Sequence, residues 1–197
     1  SRLAIGPVVQ VGGSSISSSQ AQSLQNDLIT QARKRRPKAQ VLSTKISPSL
    51  IKHSGGNAES AISSAIRSQA RKNGATHLLI TEISANRVSH SVDSDKEVET
   101  EPIYDCNGKR IGEEIVDIEY STTAYTRRDI ESKFKVIDLS TGKVVWVTRT
   151  KGSRSHSNRN ESHFHYPPPP PHPAAPSPSA VIDSLAKSGV RKLPRTL

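Results

Sequence analysis

What this chain lacks narrows its identity first. It has a single cysteine, Cys106, so a disulfide scaffold is excluded. It has no methionine, not even at position 1, and no visible signal peptide, as expected of a product trimmed from a longer precursor. Aromatic side chains number seven: Trp146, Phe134, Phe164, Tyr104, Tyr120, Tyr125 and Tyr166. Any core must therefore be built from Ile, Val, Leu and Ala. No run approaches the roughly 18 consecutive apolar residues of a membrane-spanning helix. Catalytic signatures are absent as well. Gly12-Gly13-Ser14-Ser15 has no following Gly-Lys-Ser/Thr and is a flexible turn, not a phosphate loop. No Ser sits in a G-x-S-x-G elbow, and no Cys–His pair has family-like surroundings. Neither an enzyme nor a cofactor is expected.

What is present is a 197-residue chain, 32% hydrophobic, with 28 Lys and Arg against 18 Asp and Glu, a net charge of +10. That length suits one domain with a tail. Residues 2–11 read as a first strand, which Pro7 demotes to an edge or marks with a bulge, because proline has no N–H to donate. One of Ser17, Ser18 and Ser19 caps a helix running to about Arg36, with Ala21, Leu24, Leu28 and Ala32 as its apolar stripe. Arg33-Lys34-Arg35-Arg36 close it where positive charge suits the helix dipole, and Pro37 stops it. A short strand at 40–46 follows. Asn57 begins a second helix carrying Ala58, Ala61, Ile62, Ala65, Ile66 and Ala70 on one face, ended by Asn73-Gly74. Residues 75–83 form a strand whose unbroken Leu78-Leu79-Ile80 predicts burial on both faces and a central place.

Composition then shifts. Residues 93–119 hold ten acidic and three basic side chains, leaving the remainder at +17. Asp105-Cys106-Asn107-Gly108-Lys109 predicts a turn between arms at 98–104 and 111–120. Period-two alternation predicts strands at 115–125, 129–139 and 143–154, the last two joined by a hairpin loop in which Gly142 supplies a positive φ. Residues 153–165 read as a polar, His-rich loop. The prolines that follow make an extended polyproline segment, and 179–193 a final helix weakened by Gly189. The expected organisation is a core at 1–155 with an acidic hairpin-like insertion at about 93–119, an extended His/Pro-rich segment at 156–178, and a C-terminal helix and tail at 179–197.

Three constellations carry chemistry. His163 and His165, two apart on an extended segment and flanked by His156 and His172, are weak metal candidates. No Cys or acidic partner stands at a characteristic spacing, so a loosely ordered polar loop is the plainer reading and no metal is expected. The basic balance and the 33–36 cluster are compatible with nucleic acid, but few aromatic stacking platforms accompany them, and none is expected to bind. The third is a partner-binding surface. It combines Glu97, Glu99 and Glu101 in the acidic segment, whose field opposes that of the rest, with the stiff run Pro167, Pro168, Pro169, Pro170 and Pro171. The alternative is a solvated insertion and a spacer.

Residues 133–146, Lys-Phe-Lys-Val-Ile-Asp-Leu-Ser-Thr-Gly-Lys-Val-Val-Trp, are the most specific signal. A strand, an Asp-Leu-x-Thr-Gly-Lys turn and Val-Val-Trp resemble bacterial envelope lipoproteins related to the curli-secretion protein CsgG, with LpoB-type activators of penicillin-binding proteins as the subgroup that looks nearest. Residues 73–83 resemble the same superfamily's Gly-Ala-Asp-Tyr-Leu-Leu-x-Gly strand, with Thr76-His77 at the Asp-Tyr pair and Glu82 at the usual Gly. The resemblance spans about 3–147. It implies a single α/β domain, a mixed and largely antiparallel sheet flanked by helices, like the N-terminal domain of TolB. It further implies a non-enzymatic accessory or scaffold protein of the periplasm, held at the outer membrane by a lipid anchor upstream, that binds an envelope protein such as a penicillin-binding protein. A subunit of a secretion assembly is the alternative within the superfamily. The partner's identity, the oligomeric state and any role of Cys106 stay open.

Overall fold

The computed structural model describes residues 1–12, 16–37 and 40–194. All but the first residue of the expected 12–15 turn and the last three residues of the expected tail lie outside these. The elements, in order, are β1 (Leu3–Val11), α1 (Ser18–Arg35), β2 (Val41–Lys45), β3 (Leu50–His53), a 3₁₀ turn (Ala58–Ala61), α2 (Ser64–Lys72), β4 (His77–Tyr104), β5 (Arg110–Asp138), β6 (Val144–Ser162) and α3 (Pro178–Lys192). They form a mixed six-stranded sheet in the order β2-β1-β4-β5-β6, with β3 also paired to β1. β1 runs parallel to β2, β3 and β4. β4, β5 and β6 are neighbours joined by short loops, which only antiparallel strands permit. The α/β class and mixed sheet expected from the sequence are what the chain adopts. Contacts divide it into two units. Unit 1 holds Ser1–Arg87, Arg128–Arg154 and Pro176–Leu197; unit 2 holds Val88–Arg127 and Ser155–Ala175.

In unit 1 the sheet is apolar on both faces because its central strands are. Leu3, Ile5, Val8, Leu79, Ile83, Phe134 and Val136 face one side, where they meet Ala21, Leu24 and Leu28 of α1 and Val181, Ile182 and Leu185 of α3. Ala4, Val9, Leu78, Ile80 and Ile137 face the other, against Ala58, Ile62, Ile66 and Ala70. Leu78, Leu79 and Ile80 are thus buried on alternate faces, as the unbroken run predicts. Trp146 packs on the α1/α3 side. Gly189 is required by packing: a Cβ there would lie 2.6 Å from Cζ of Phe134. The glycine that weakens α3 as a helix is what lets an aromatic ring approach it.

β1 is not an edge strand. Its first half pairs with β2 and its second half with β3, and the switch falls on Gly6-Pro7. There the ladder to β4 shifts register, between Ile5 and Val8, while Ile46 N donates to Ile5 O at 3.0 Å and Val8 N donates to Ser49 O at 2.8 Å. The missing N–H of Pro7 thus falls where no neighbour asks for one. The carbonyl left over at Gly6 is taken by α1: Gln25, fully buried, donates from Nε2 to Gly6 O at 2.7 Å and to Ile46 O at 3.1 Å.

Helix ends follow local chemistry. Ser17 caps α1 and forms a reciprocal capping box with Gln20. The helix expected from Asn57 breaks in two, because Ser63 Oγ accepts from Ile66 N and starts α2 there. Ala65 is consequently exposed. Ser177 caps α3, with Pro178 in its first turn. The strands expected at 115–125 and 129–139 are one continuous β5, and β6 runs on to Ser162 through the expected loop. At the 138–143 turn, Asp138 Oδ1 accepts from the backbone N–H and hydroxyl of Ser140, each at 2.7 Å, and Gly142 adopts φ 72°. Those bonds, the hydroxyl's foremost, hold the Asp138 carboxyl below its usual range.

The α2 side of the sheet carries one polar seam. Glu82 is 1% and Lys135 7% exposed. Lys135 Nζ lies 2.9 Å from Glu82 Oε2 and 2.6 Å from Glu59 Oε2, and Lys133 Nζ lies 3.1 Å from Glu82 Oε1. Burial alone would raise Glu82 and Glu59, but their bonds to the lysines outweigh it and hold both carboxyls below the ordinary 4.5. Burial would lower Lys135, and its two carboxylate partners instead hold it above 10.5.

Gln25→Leu, which strands two buried carbonyls, should lower unfolding free energy by about 2 kcal/mol, read as a shifted urea midpoint with an unchanged slope. The ion cluster sets a pH window. The carboxylates stabilise the fold above their ordinary 4.5, and that contribution is lost as pH falls through their depressed folded-state values. The lysine stabilises it below 10.5, and its contribution is lost as pH rises through its elevated value. Urea midpoints measured across pH should show a plateau between those limits, flattened in the Glu82→Gln/Lys135→Met double variant. Lys135→Met alone should cost about 3 kcal/mol, since it leaves Glu82 buried with only Lys133.

Candidate protein interface

Charge divides with the two units. Unit 1 carries 23 basic and 7 acidic side chains, a net +16; unit 2 carries 5 basic and 11 acidic ones, a net −6. Within unit 2 the acids lie on one side of a sheet. Alternation along β4 puts Asp93, Asp95, Glu97, Glu99 and Glu101 on one face and Ser94 and Lys96 on the other. Ser94 Oγ reaches Thr122 Oγ1 of β5 at 3.5 Å, and Lys96 Nζ sits 5.5 Å from the ring centre of Tyr120. Asp117 and Glu119 of β5 alternate with those partners and so join the acidic face. There His163 Nδ1 lies 3.1 Å from Asp117 Oδ1, and Arg159 Nη2 lies 3.1 Å from Glu119 Oε1. Glu97, Glu99 and Glu101 are exposed.

The opposite face is covered by the polyproline segment. Thr122 Oγ1 donates to Pro167 O at 2.8 Å, Asn160 Nδ2 to Pro168 O at 2.9 Å and Asn158 Nδ2 to Pro171 O at 2.8 Å. Tyr166 meets Tyr120 edge-on at 4.9 Å. Pro167 and Pro170 are buried, while Pro168, Pro169 and Pro171 are exposed. A polyproline helix makes no hydrogen bonds of its own, so its carbonyls are free to take donors from a neighbouring strand. Strand side chains with amide and hydroxyl donors supply them here.

The structure places the two halves of the expected partner surface on opposite faces of one sheet: glutamates outward on the open face, prolines along the other. The histidines are not gathered. His156 Nδ1 donates to Ala174 O at 3.0 Å and His172 Nδ1 to Tyr125 O at 3.1 Å, His163 faces Asp117, and His165 is exposed. Among the described residues, no three His, Cys, Asp or Glu side chains converge as a metal set. The ring of His172 meets that of His90, a residue the sequence did not single out, at a tilt, with centres 4.8 Å apart. Cys106 is exposed at the 105–109 turn. The basic run ending α1 is partly used internally: Arg35 Nη1 donates to Val190 O at 2.8 Å.

Sequence reasoning missed the Glu82–Lys135 pair and the docking of the prolines. The first had a signal: an acidic residue close behind an apolar run in a central strand needs a buried cation. The second had none, because alternating Asn and Thr on a polar strand look like solvated surface.

The chain matches no protein-family model and no curated protein. Its structure is similar to several solved ones at low identity. PelC of Paraburkholderia phytofirmans, solved as a dodecamer, shares 14% identity over 96% of this chain and 84% of that one, with a TM-score of 0.42. A neuraminyllactose-binding hemagglutinin homolog from Helicobacter pylori shares 11% over 97% and 80%, at 0.37. Lipoprotein GNA1162 of Neisseria meningitidis shares 11% over 98% and 97%, at 0.34.

Proposed function

We propose that this chain is a non-enzymatic accessory protein of the bacterial cell envelope that works by binding another protein through the acidic face of unit 2. The observation that carries this reading is the charge arrangement. Asp93, Asp95, Glu97, Glu99 and Glu101 stand exposed in one row, joined by Asp117 and Glu119, on a chain whose other unit is at +16. Such a field orients a basic partner and speeds encounter. Pro167, Pro168, Pro169, Pro170 and Pro171 contribute by stiffening the sheet from behind, and the exposed three offer a second contact. The resemblance of residues 133–146 to CsgG- and LpoB-related lipoproteins supplies the setting: the periplasm, a lipid anchor upstream at the outer membrane, and a penicillin-binding protein as the sharpest partner.

The test is capture from Gram-negative envelope extracts, together with glycan polymerisation by a purified penicillin-binding protein. Glu97, Glu99 and Glu101 changed together to Lys should abolish capture of the basic partner and any stimulation of the synthase. Replacing 167–171 by Gly-Ser should weaken both less. Equal capture by all three proteins would place the surface elsewhere. The +16 of unit 1 favours a second reading, nucleic-acid binding. A gel shift that persists at physiological salt with a steep salt slope would support it over the first.

A further inference from the structure

Where α1 and α3 end, their last turns enclose a cavity of about 280 Å³ lined by Ala32, Arg35, Arg36, Val190 and Leu193. Arg36 is only 5% exposed, and its Nη1 and Nη2 have no hydrogen-bond partner among the described residues. A guanidinium taken out of water without an acceptor is expensive to keep, because it loses its hydration and gains nothing in return. Its burial accordingly pushes the guanidinium below its ordinary pKa. The neighbouring Arg35 does have a partner, the Val190 carbonyl, which fixes it in the cavity wall.

Several acids of unit 1 have partners of their own. Glu59 and Glu82 serve Lys135, and Asp183 on α3 pairs with Lys187 at 3.0 Å. In a unit at +16 with seven acidic residues, no described residue gives this guanidinium an acceptor, which leaves it open to an anionic ligand. The fork of a guanidinium matches a carboxylate or a phosphate. The rest of the wall decides between them. Apart from Arg35, which is held by the Val190 carbonyl, the wall is Ala32, Val190 and Leu193, hydrocarbon without a further donor, which suits a singly charged group on an apolar stem better than a doubly charged, strongly hydrated phosphate.

We propose that this cavity is a binding site for a carboxylate on a short branched aliphatic stem, the carboxylate on Arg36 and the stem against Ala32, Val190 and Leu193. A free branched-chain acid and a peptide C-terminus ending in an aliphatic residue share that chemistry. Isothermal titration with isovalerate and with N-acetyl-leucine represents the two sources. N-acetyl-leucinamide, which lacks only the charge, and inorganic phosphate serve as comparisons. Saturable binding of the carboxylates is expected, at least tenfold tighter than the amide or phosphate. The tighter of the two carboxylates identifies the source. Arg36→Gln should lose at least tenfold in affinity, and Arg36→Lys should keep part of it. The thermal midpoint of the unchanged protein should rise with N-acetyl-leucine, while that of Arg36→Gln should not move. The proposal is overturned if neither carboxylate binds, if amide or phosphate binds as tightly, or if Arg36→Gln binds like the unchanged protein. If Arg36→Gln does not fold, the acid-against-amide comparison on the unchanged protein decides alone.

Discussion

A buried amide at the middle of β1 is what the architecture turns on. β1 is covered on both faces and paired along both edges, yet it contains a proline. The outer neighbour changes from β2 to β3 at Gly6-Pro7, and a side chain from the covering helix takes the carbonyl this frees. Gln25 does so while also holding Ile46 O, so one residue ties α1, β1 and the end of β2 together. With β1 fixed, β4 lies parallel beside it, and the two-sided apolar pair requires helices on both faces. α1 and α3 cover one, and α2 with its 3₁₀ turn covers the other.

The two units are stabilised by different means. Unit 1 relies on aliphatic packing, with Phe134 seated against Gly189 where a Cβ would not fit and the Glu82–Lys135–Glu59 seam as its polar exception. Unit 2 has little apolar interior: Ala124 is a buried apolar residue on its strands, beside buried Ser121, Thr122 and Thr126. Hydrogen bonds from strand side chains to proline carbonyls take the place of a core. A unit built that way can give a whole sheet face to charge, because it needs only one face for its own cohesion. The same chain thus combines a +16 unit that folds by burial with a −6 unit that presents carboxylates.

How much was legible depended on whether the signal was local. The α1 stripe, a serine cap within 17–19, the Gly142 and Gly108 turns and the two-faced burial of Leu78, Leu79 and Ile80 are each set within a few residues by periodicity, capping chemistry or a positive φ, and the sequence alone determined them, leaving to the structure only that Ser17 is the cap. It also located the acidic row, since composition and alternation are enough for that. Tertiary structure decided the rest. Whether Pro7 means an edge or a bulge depends on β2 and β3, tens of residues away, sharing the partnership of β1. Whether Glu82 is tolerable in a central strand depends on Lys133 and Lys135, some fifty residues later, and on Glu59. Whether five prolines hang free or cover a sheet depends on Thr122, Asn158 and Asn160. In each case a backbone or charged group must be satisfied by a partner distant in the chain, and no local pattern records which partner that will be.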